Sequence, residues 1–438
     1  VGIAFILIGT ILLFVLALKG YPVVIAAPLC ALIVALGNGV DALDTYRTTY
    51  MGGAANMLIT IFPIILLGSI IAEFYRAGGG ATSIATALYN FSKKISKTGN
   101  TSVALTFIII NLMGLILAYG GINGVVVTVI IFPIALEMFK NANLPREIAP
   151  GVVLSGTITS ALIMPGSPQL QNVLPMNLLG TTSTAGLVPG LVIGAMILIA
   201  NIILLTVLTK KEIAKGNGFT TFDGMPNVAE DAKLPNPWLS LLPLVVVFAL
   251  FNFAKLHVLV ALFNGAILSA LIFLPNYGGG KEIKPLSSKA VVDAGSLTLI
   301  VCALSAYGTV IAAMPSFSSI SDALIGIPGP PLIKAAIAMM LVTAISGSGP
   351  AGIGTGVPMF ASTFEAMGIN MAALHRVAAF SGVSLDSLPS NAAVNVAARL
   401  SGYSVAKTYL YSFCTTVLTT SLGTLLVAIL LTIFPGAA

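Results

Sequence analysis

Gly382-Val-Ser-Leu-Asp-Ser-Leu-Pro-Ser-Asn391 sets a carboxylate, three hydroxyls, an amide and a proline into the middle of an apolar segment. Half a chain earlier, Met164-Pro-Gly-Ser-Pro-Gln-Leu-Gln-Asn172 does the same, again between apolar runs of helix length. Unwound backbone at membrane depth persists only where protein, water or a ligand satisfies its amides and carbonyls. Two polar helix breaks at matching places in two hydrophobic halves predict the binding site of a secondary transporter.

Composition agrees. The chain has 438 residues, 57% hydrophobic and only 8% charged, with a mean hydropathy of +1.04. A soluble domain carries roughly 25% charged residues, so there is too little charge here to cover a water-facing surface. The net charge of +6 does not point to nucleic acid. Basic residues cluster at the ends of apolar runs, as the positive-inside bias requires, and there is no interleaving of aromatic and basic residues. Cys30, Cys302 and Cys414 lie far apart in apolar runs and suit neither a disulfide framework nor a metal. His257 and His375 read as lone residues near segment ends, which cannot assemble a zinc site. No P-loop, G-x-S-x-G or H-E-x-x-H occurs, so neither an enzyme nor a cofactor site is expected. The first apolar run lacks a small-residue cleavage pattern and reads as a span, not a signal peptide.

Apolar runs and their breakers divide the chain in two. Residues 1–209 form a first repeat: spans near 2–18, 22–37 and 51–75, a split segment at 102–139, a broken span at 148–175 and a long span at 186–209. A polar linker covers 210–237. Residues 238–438 repeat the order, with spans near 238–254, 258–274 and 290–314, a split segment at 332–367, a broken span at 374–400 and a last span at 407–434. Arg146 and Arg376 read as equivalent residues ahead of the two broken spans. The split segments have short arms and glycine-rich tips, which favours re-entrant hairpins over pairs of full spans. With the loop from Arg76 to Lys97 inside, 16 of the 20 basic residues fall on the inner face, leaving Arg47, Lys255, Lys334 and Arg376 outside. Five crossings per repeat then invert the second half relative to the first and place both termini outside. The expected fold is an all-α polytopic membrane protein, with an inverted repeat of five spans plus one hairpin.

Within that frame, the first tip offers Gly120, Gly121, Asn123 and Gly124, and the second Ser346, Gly347, Ser348, Gly349 and, a turn on, Thr355. Glycines let backbone amides approach a ligand, and helix N-termini carry free N–H groups and partial positive charge. The first break adds Thr157, Ser167, Gln169 and Asn172, and the second Ser387, Ser390 and Asn391. Together these predict a site for a small organic anion, held by amides, hydroxyls and helix ends without a buried Arg or Lys. Asp386 is the one acid read as lying deep in the membrane, where a charge costs ~2.5–3.5 kcal/mol. It is the expected ion-coupling residue, taking up H+ or Na+. The opposing reading makes Asp386 a turn-former and the small residues helix–helix packing.

The runs Pro165-Gly-Ser-Pro-Gln-Leu-Gln-Asn-Val-Leu-Pro175 and Leu385-Asp-Ser-Leu-Pro-Ser-Asn-Ala-Ala-Val394 resemble the gluconate permease family of the ion-transporter superfamily, nearest to its 3-hydroxybutyrate and hydroxy-acid branch. Ser390 stands where that branch often carries a histidine. The resemblance implies an elevator-type homodimer in a bacterial cytoplasmic membrane, importing a hydroxy-monocarboxylate with a cation. A cation/proton antiporter or a di- or tricarboxylate carrier of the same architecture is the alternative.

Overall fold

The computed structural model describes residues 1–19, 21–95, 102–225, 234–389 and 391–438. No strand occurs among them. The first half comprises α1 (Gly2–Leu18), α2 (Val23–Gly37), α3 (Ala42–Ala77), α4 (Gly80–Ile95), α5 (Val103–Tyr119), α6 (Gly124–Asn141), α7 (149–163), α8 (Leu170–Leu179) and α9 (Leu187–Ala214). The second comprises α10 (Pro237–Asn252), α11 (Val258–Ile272), α12 (Gly280–Ala313), α13 (Phe317–Gly326), α14 (Pro331–Ser346), α15 (Gly349–Ala366), α16 (Met371–Ser384), α17 (Ala392–Leu400) and α18 (Val405–Ile433). Helices α3, α6, α9, α12 and α18 are long and apolar enough to cross a membrane, and α1, α2, α5, α10, α11 and α14 are shorter apolar helices. The protein is a polytopic, all-helical membrane protein.

Helix α9 shows how such a sequence packs. Val188, Val192, Met196, Ile199 and Ile203 are exposed along one face, while Ile193, Ile197, Asn201, Leu205 and Thr209 form a buried ridge at four-residue spacing. The apolar face meets lipid and the ridge carries the polar groups, the reverse of a soluble amphipathic helix. Asn201 Nδ2 donates to Ser155 Oγ at 3.0 Å and to the Thr415 carbonyl at 3.2 Å, so the amide joins the two halves.

Helix order and length recur between the halves, and so does the packing. Helix α1 packs on α2 as α10 does on α11; α2 packs on α12 as α11 does on α3; α5 packs on α7 as α14 does on α16. The second arm of each split segment lies against the short helix after the opposite break, α6 on α17 and α15 on α8. One relation is not reciprocated. Helix α15 packs extensively on α12, with no comparable contact of α6 on α3 among the described residues.

Several sequence expectations need correction. The stretch after Arg76 is not a loop: α4 buries Ala81, Ile84 and Ala85 on one side and ends in Lys93 and Lys94. Its apolar positions follow helical spacing but are too few to resemble a span. Helix α9 continues through Ala214, so Lys210 and Lys211 are helical and the linker is shorter than composition suggests. Lys97, Glu230, Asp231 and Lys233 lie outside the described residues. The arm-length argument also fails to discriminate. The arms of the two split segments have 16 to 18 residues, while α1, α2, α10 and α11 have 15 to 17. Burial does not separate them either: at the first tip Gly120, Gly121 and Ile122 are all buried, whereas at the second Ser346, Gly347 and Ser348 are only partly buried.

Candidate functional site

Each break ends one helix and begins another against the tip of a split segment. After α7, Gly166 turns the chain at a φ of +80°, and Asn252 at the end of α10 donates to its carbonyl at 2.9 Å. Tyr119 donates its hydroxyl to the Pro165 carbonyl. Gln169 Nε2 donates to the carbonyls of Ala118 and Ile122, at 2.5 and 2.9 Å, tying the break to the first tip. Two residues on, Gln171 reaches the other way. Its Nε2 stands 3.2 Å from where a Cβ on Gly349 would be, at the second tip. The first turn of α8 therefore bridges both tips.

Gly124 and Gly349, the first residues of α6 and α15, occupy parallel situations. A Cβ on Gly124 would meet the Thr157 carbonyl oxygen at 2.6 Å, and one on Gly349 the Gly382 carbonyl oxygen at 2.0 Å. Only glycine lets those helix starts rest on the backbone of α7 and α16. Gly120 and Gly121 face Leu244 and Leu262 of α10 and α11, and a Cβ on Gly120 would lie 2.8 Å from Leu244. Thr157 is committed: it bonds Thr128 Oγ1 at 2.8 Å and the Val153 carbonyl at 3.0 Å. Asn123 Oδ1 caps Val125 N–H at 2.9 Å.

Gly121, Asn123, Gln169 and Leu170 line a cleft of about 50 Å3 together with Gly68 and Ser69 of α3. That volume has room for a few waters and is too small for a six-carbon acid, so binding one there would require the cleft to widen. Ser167 Oγ accepts from Gln169 N–H at 3.3 Å, and no side chain caps the first turn of α8. Ser69 is a lining residue the sequence did not mark. Its signal was a small Gly-Ser pair within an otherwise aliphatic span.

At the second break, Ser387 donates to Asp386 Oδ1 at 2.7 Å, and the carboxylate lies near Gly349. Asp386 thus lies near the N-terminus of α15, where Ser348 supplies no side-chain bond. Asn391 closes the loop, with Nδ2 on the Asp386 carbonyl at 3.0 Å and Oδ1 capping Ala393 and Val394. Ser346 bonds the Val342 carbonyl, Gly347 turns at a φ of +61°, and Thr355 Oγ1 is buried without a partner. Ser390 lies outside the described residues.

The largest correction concerns buried cations. Arg376 is neither ahead of its broken span nor at an outer end; it lies inside α16 and is fully buried. Its Nε and Nη2 donate to the Ala185 carbonyl at 2.9 and 2.7 Å, Nη1 to the Ile163 carbonyl at 3.1 Å, and Nη2 also to Asn172 Oδ1 at 3.1 Å. Ile163 ends α7, so the guanidinium sits where a helix C-terminus favours positive charge. Neither Arg376 nor Asp386 belongs to an ion pair among the described residues. His375 is equally buried, with Nδ1 2.6 Å from Thr181 Oγ1 and Nε2 3.0 Å from Asn172 Oδ1. Asn172 Nδ2 donates to the carbonyls of Ser167 and Ser183, which fixes Oδ1 as the acceptor and leaves no part of the amide free for a ligand. The expectation that Asn172 grips substrate is replaced by a structural role. Spacing hid this cluster, because a His-Arg pair five residues into an apolar run looks like a segment end. No group of three His, Cys, Asp or Glu residues able to hold a metal occurs among the described residues.

No protein-family model matches the chain. It is similar, at 26% identity over 95% of its length and 96% of the other's, to a Bacillus subtilis (strain 168) protein named uncharacterized transporter YxjC.

Proposed function

We propose that the chain is a secondary transporter that carries a small organic monoanion together with one cation, most simply H+. Likeness to a named transporter over nearly the whole of both chains supports the transporter role. The observation that carries the rest is the pair of opposite charges at the two breaks, Arg376 behind the first and Asp386 in the second, each buried and without an ionic partner among the described residues.

Charge decides the stoichiometry. A charge deep in the membrane is expensive, so the states that move must be close to neutral. With Arg376 positive and Asp386 negative, the empty site is neutral. A monoanion alone leaves it at minus one, and a cation alone at plus one. Anion and cation together restore neutrality, with the cation on Asp386 and the anion balanced by Arg376 and the open first turn of α8. Only the empty and doubly loaded carriers move readily, which is the requirement for symport. A dicarboxylate would leave a residual charge, which favours gluconate-like or 3-hydroxybutyrate-like acids over citrate or succinate. The resemblance of both breaks to gluconate permeases supports the same substrate class.

The repeated packing supports an inverted repeat, with α1–α3 and α10–α12 as a fixed scaffold and α5–α9 with α14–α18 as the moving block. In this account the carrier is a homodimer through its scaffold helices, in a bacterial cytoplasmic membrane with both termini outside. Uptake of a labelled acid panel into proteoliposomes under imposed H+ or Na+ gradients tests the reading. Hydroxy-monoacids should accumulate and compete with one another; equal accumulation of dicarboxylates would contradict it.

A further inference from the structure

Helix α10 carries Leu244, Phe248 and Asn252 at four-residue spacing, which puts them on one face. Each of the three meets the first tip or the first break. A Cβ on Gly120 would lie 2.8 Å from Leu244, and the Phe248 ring stands 5.6 Å from that of Tyr119. Asn252 reaches furthest: its Nδ2 donates to the Gly166 carbonyl at 2.9 Å, and its Oδ1 accepts from Ser183 Oγ at 3.1 Å. Gly166 N–H in turn donates to the Ser183 carbonyl at 2.8 Å. The amide therefore closes over both stretches of chain where the break is pinned. Ser183 lies between α8 and α9, in a stretch that the buried cation also holds. Asn172 Nδ2 donates to the Ser183 carbonyl at 3.0 Å, its Oδ1 accepts from Arg376, and Arg376 donates twice to the Ala185 carbonyl. Asn252 is thus joined through Ser183 and Asn172 to Arg376.

The other half carries no such residue. Helix α1 packs on α2 as α10 does on α11, yet from Gly2 to Leu18 its one hydrogen-bonding side chain is Thr10, which bonds Tyr307 at 3.0 Å. We propose that Asn252 is a positioning residue for transport, a latch on the scaffold that holds the first break, and with it the surroundings of Arg376, in this facing state. Its action as a latch rests on the moving-block reading. Both bonds cross from α10 to the block, so both break when the block changes sides. The Phe248 carbonyl, 3.1 Å from Asn252 Nδ2, then keeps the amide paired within its own helix. No asparagine on α1 awaits the second break on the other side, so the latch works in one direction and biases the carrier toward this state.

The test is the distance between spin labels at Asn177→Cys on α8 and Leu256→Cys just after α10, both exposed positions, with the three buried cysteines replaced by alanine. In nanodiscs the parent should show two distances, the one matching this structure dominant, and 3-hydroxybutyrate at acid pH should change their ratio. Ser183→Ala removes one bond and should lower that ratio about two- to ten-fold, the worth of one hydrogen bond. Asn252→Leu removes both and should lower it further, and adding Ser183→Ala to it should change little more, because the two share a bond. Ser183→Ala, the milder change, carries the test if Asn252→Leu melts early. Asn264→Leu on α11, whose amide bonds the Val260 carbonyl of its own helix at 2.9 Å, should leave the ratio as it is. An unchanged ratio in Ser183→Ala and Asn252→Leu, fully additive losses in the double variant, or an equal shift in Asn264→Leu would each overturn the latch while two distances in the parent leave the moving block standing. A single distance in every variant, with and without 3-hydroxybutyrate, would overturn the moving block and the latch with it.

Discussion

At the scale of single residues, the proposed mechanism divides the work between Asp386 and Arg376. Asp386→Asn keeps an acceptor for Ser387 while the exchangeable charge is lost. The variant should still exchange substrate across the membrane but no longer concentrate it, which counterflow and net-uptake assays separate. Net uptake at the parent's level would reduce Asp386 to a turn-former. Arg376 holds two otherwise orphaned carbonyls, Ile163 and Ala185. Arg376→Gln should therefore cost ~1–3 kcal/mol per carbonyl left unpaired, and binding of the anion should weaken at least about ten-fold. Arg376→Lys keeps the charge without the planar fork; more binding than stability should survive in it, as ligand titration and thermal melting would report. Equal binding by Gln and Lys would show that the charge does not matter.

At the scale of elements, the decisive contacts are between helix starts and backbone. Gly349→Ala and Gly124→Ala each place a methyl against a carbonyl that cannot swing away, at 2.0 and 2.6 Å. Overpacking of this kind costs ~1–3 kcal/mol, more at the tighter site. Both variants should melt at lower temperature and lose transport, with Gly349→Ala the more severe; a silent Gly349→Ala would mean the tip does not rest on α16. Much of this level was legible in the sequence. Apolar runs placed the membrane helices, and Pro-Gly-Ser and Asp-Ser-Leu-Pro marked where two of them break, because backbone chemistry is local. What stayed hidden was tertiary. Asn172 reads as a ligand-gripping amide until His375 and Arg376, two hundred residues away, are seen to occupy its oxygen. The segment after Arg76 reads as a loop because an amphipathic helix of this length carries too few apolar residues to look like a span.

Across the whole molecule, the proposed motion turns on the packing relation that is not reciprocated between the halves. Helix α15 rests on α12, with Ser305 Oγ on the Gly354 carbonyl at 2.7 Å, while α6 makes no comparable contact with α3 among the described residues. In the proposed inverted-repeat carrier these relations would exchange as the moving block changes sides, which would make this arrangement one end of the stroke. A cysteine pair joining α12 to α15 near the Ser305–Gly354 bond should arrest transport when oxidised and release it when reduced; full transport in the oxidised, cross-linked protein would rule out movement of α15 against α12.

The central claim is that the doubly loaded carrier is neutral, and it is tested most directly by separating the two parts of the driving force in proteoliposomes. A cation gradient without membrane potential should drive uphill uptake of a labelled hydroxy-monoacid, and a potential set by potassium and valinomycin without a cation gradient should drive none. Accumulation driven by the potential alone would mean that net charge crosses with the substrate, and the balance between Arg376 and Asp386 would not describe this carrier.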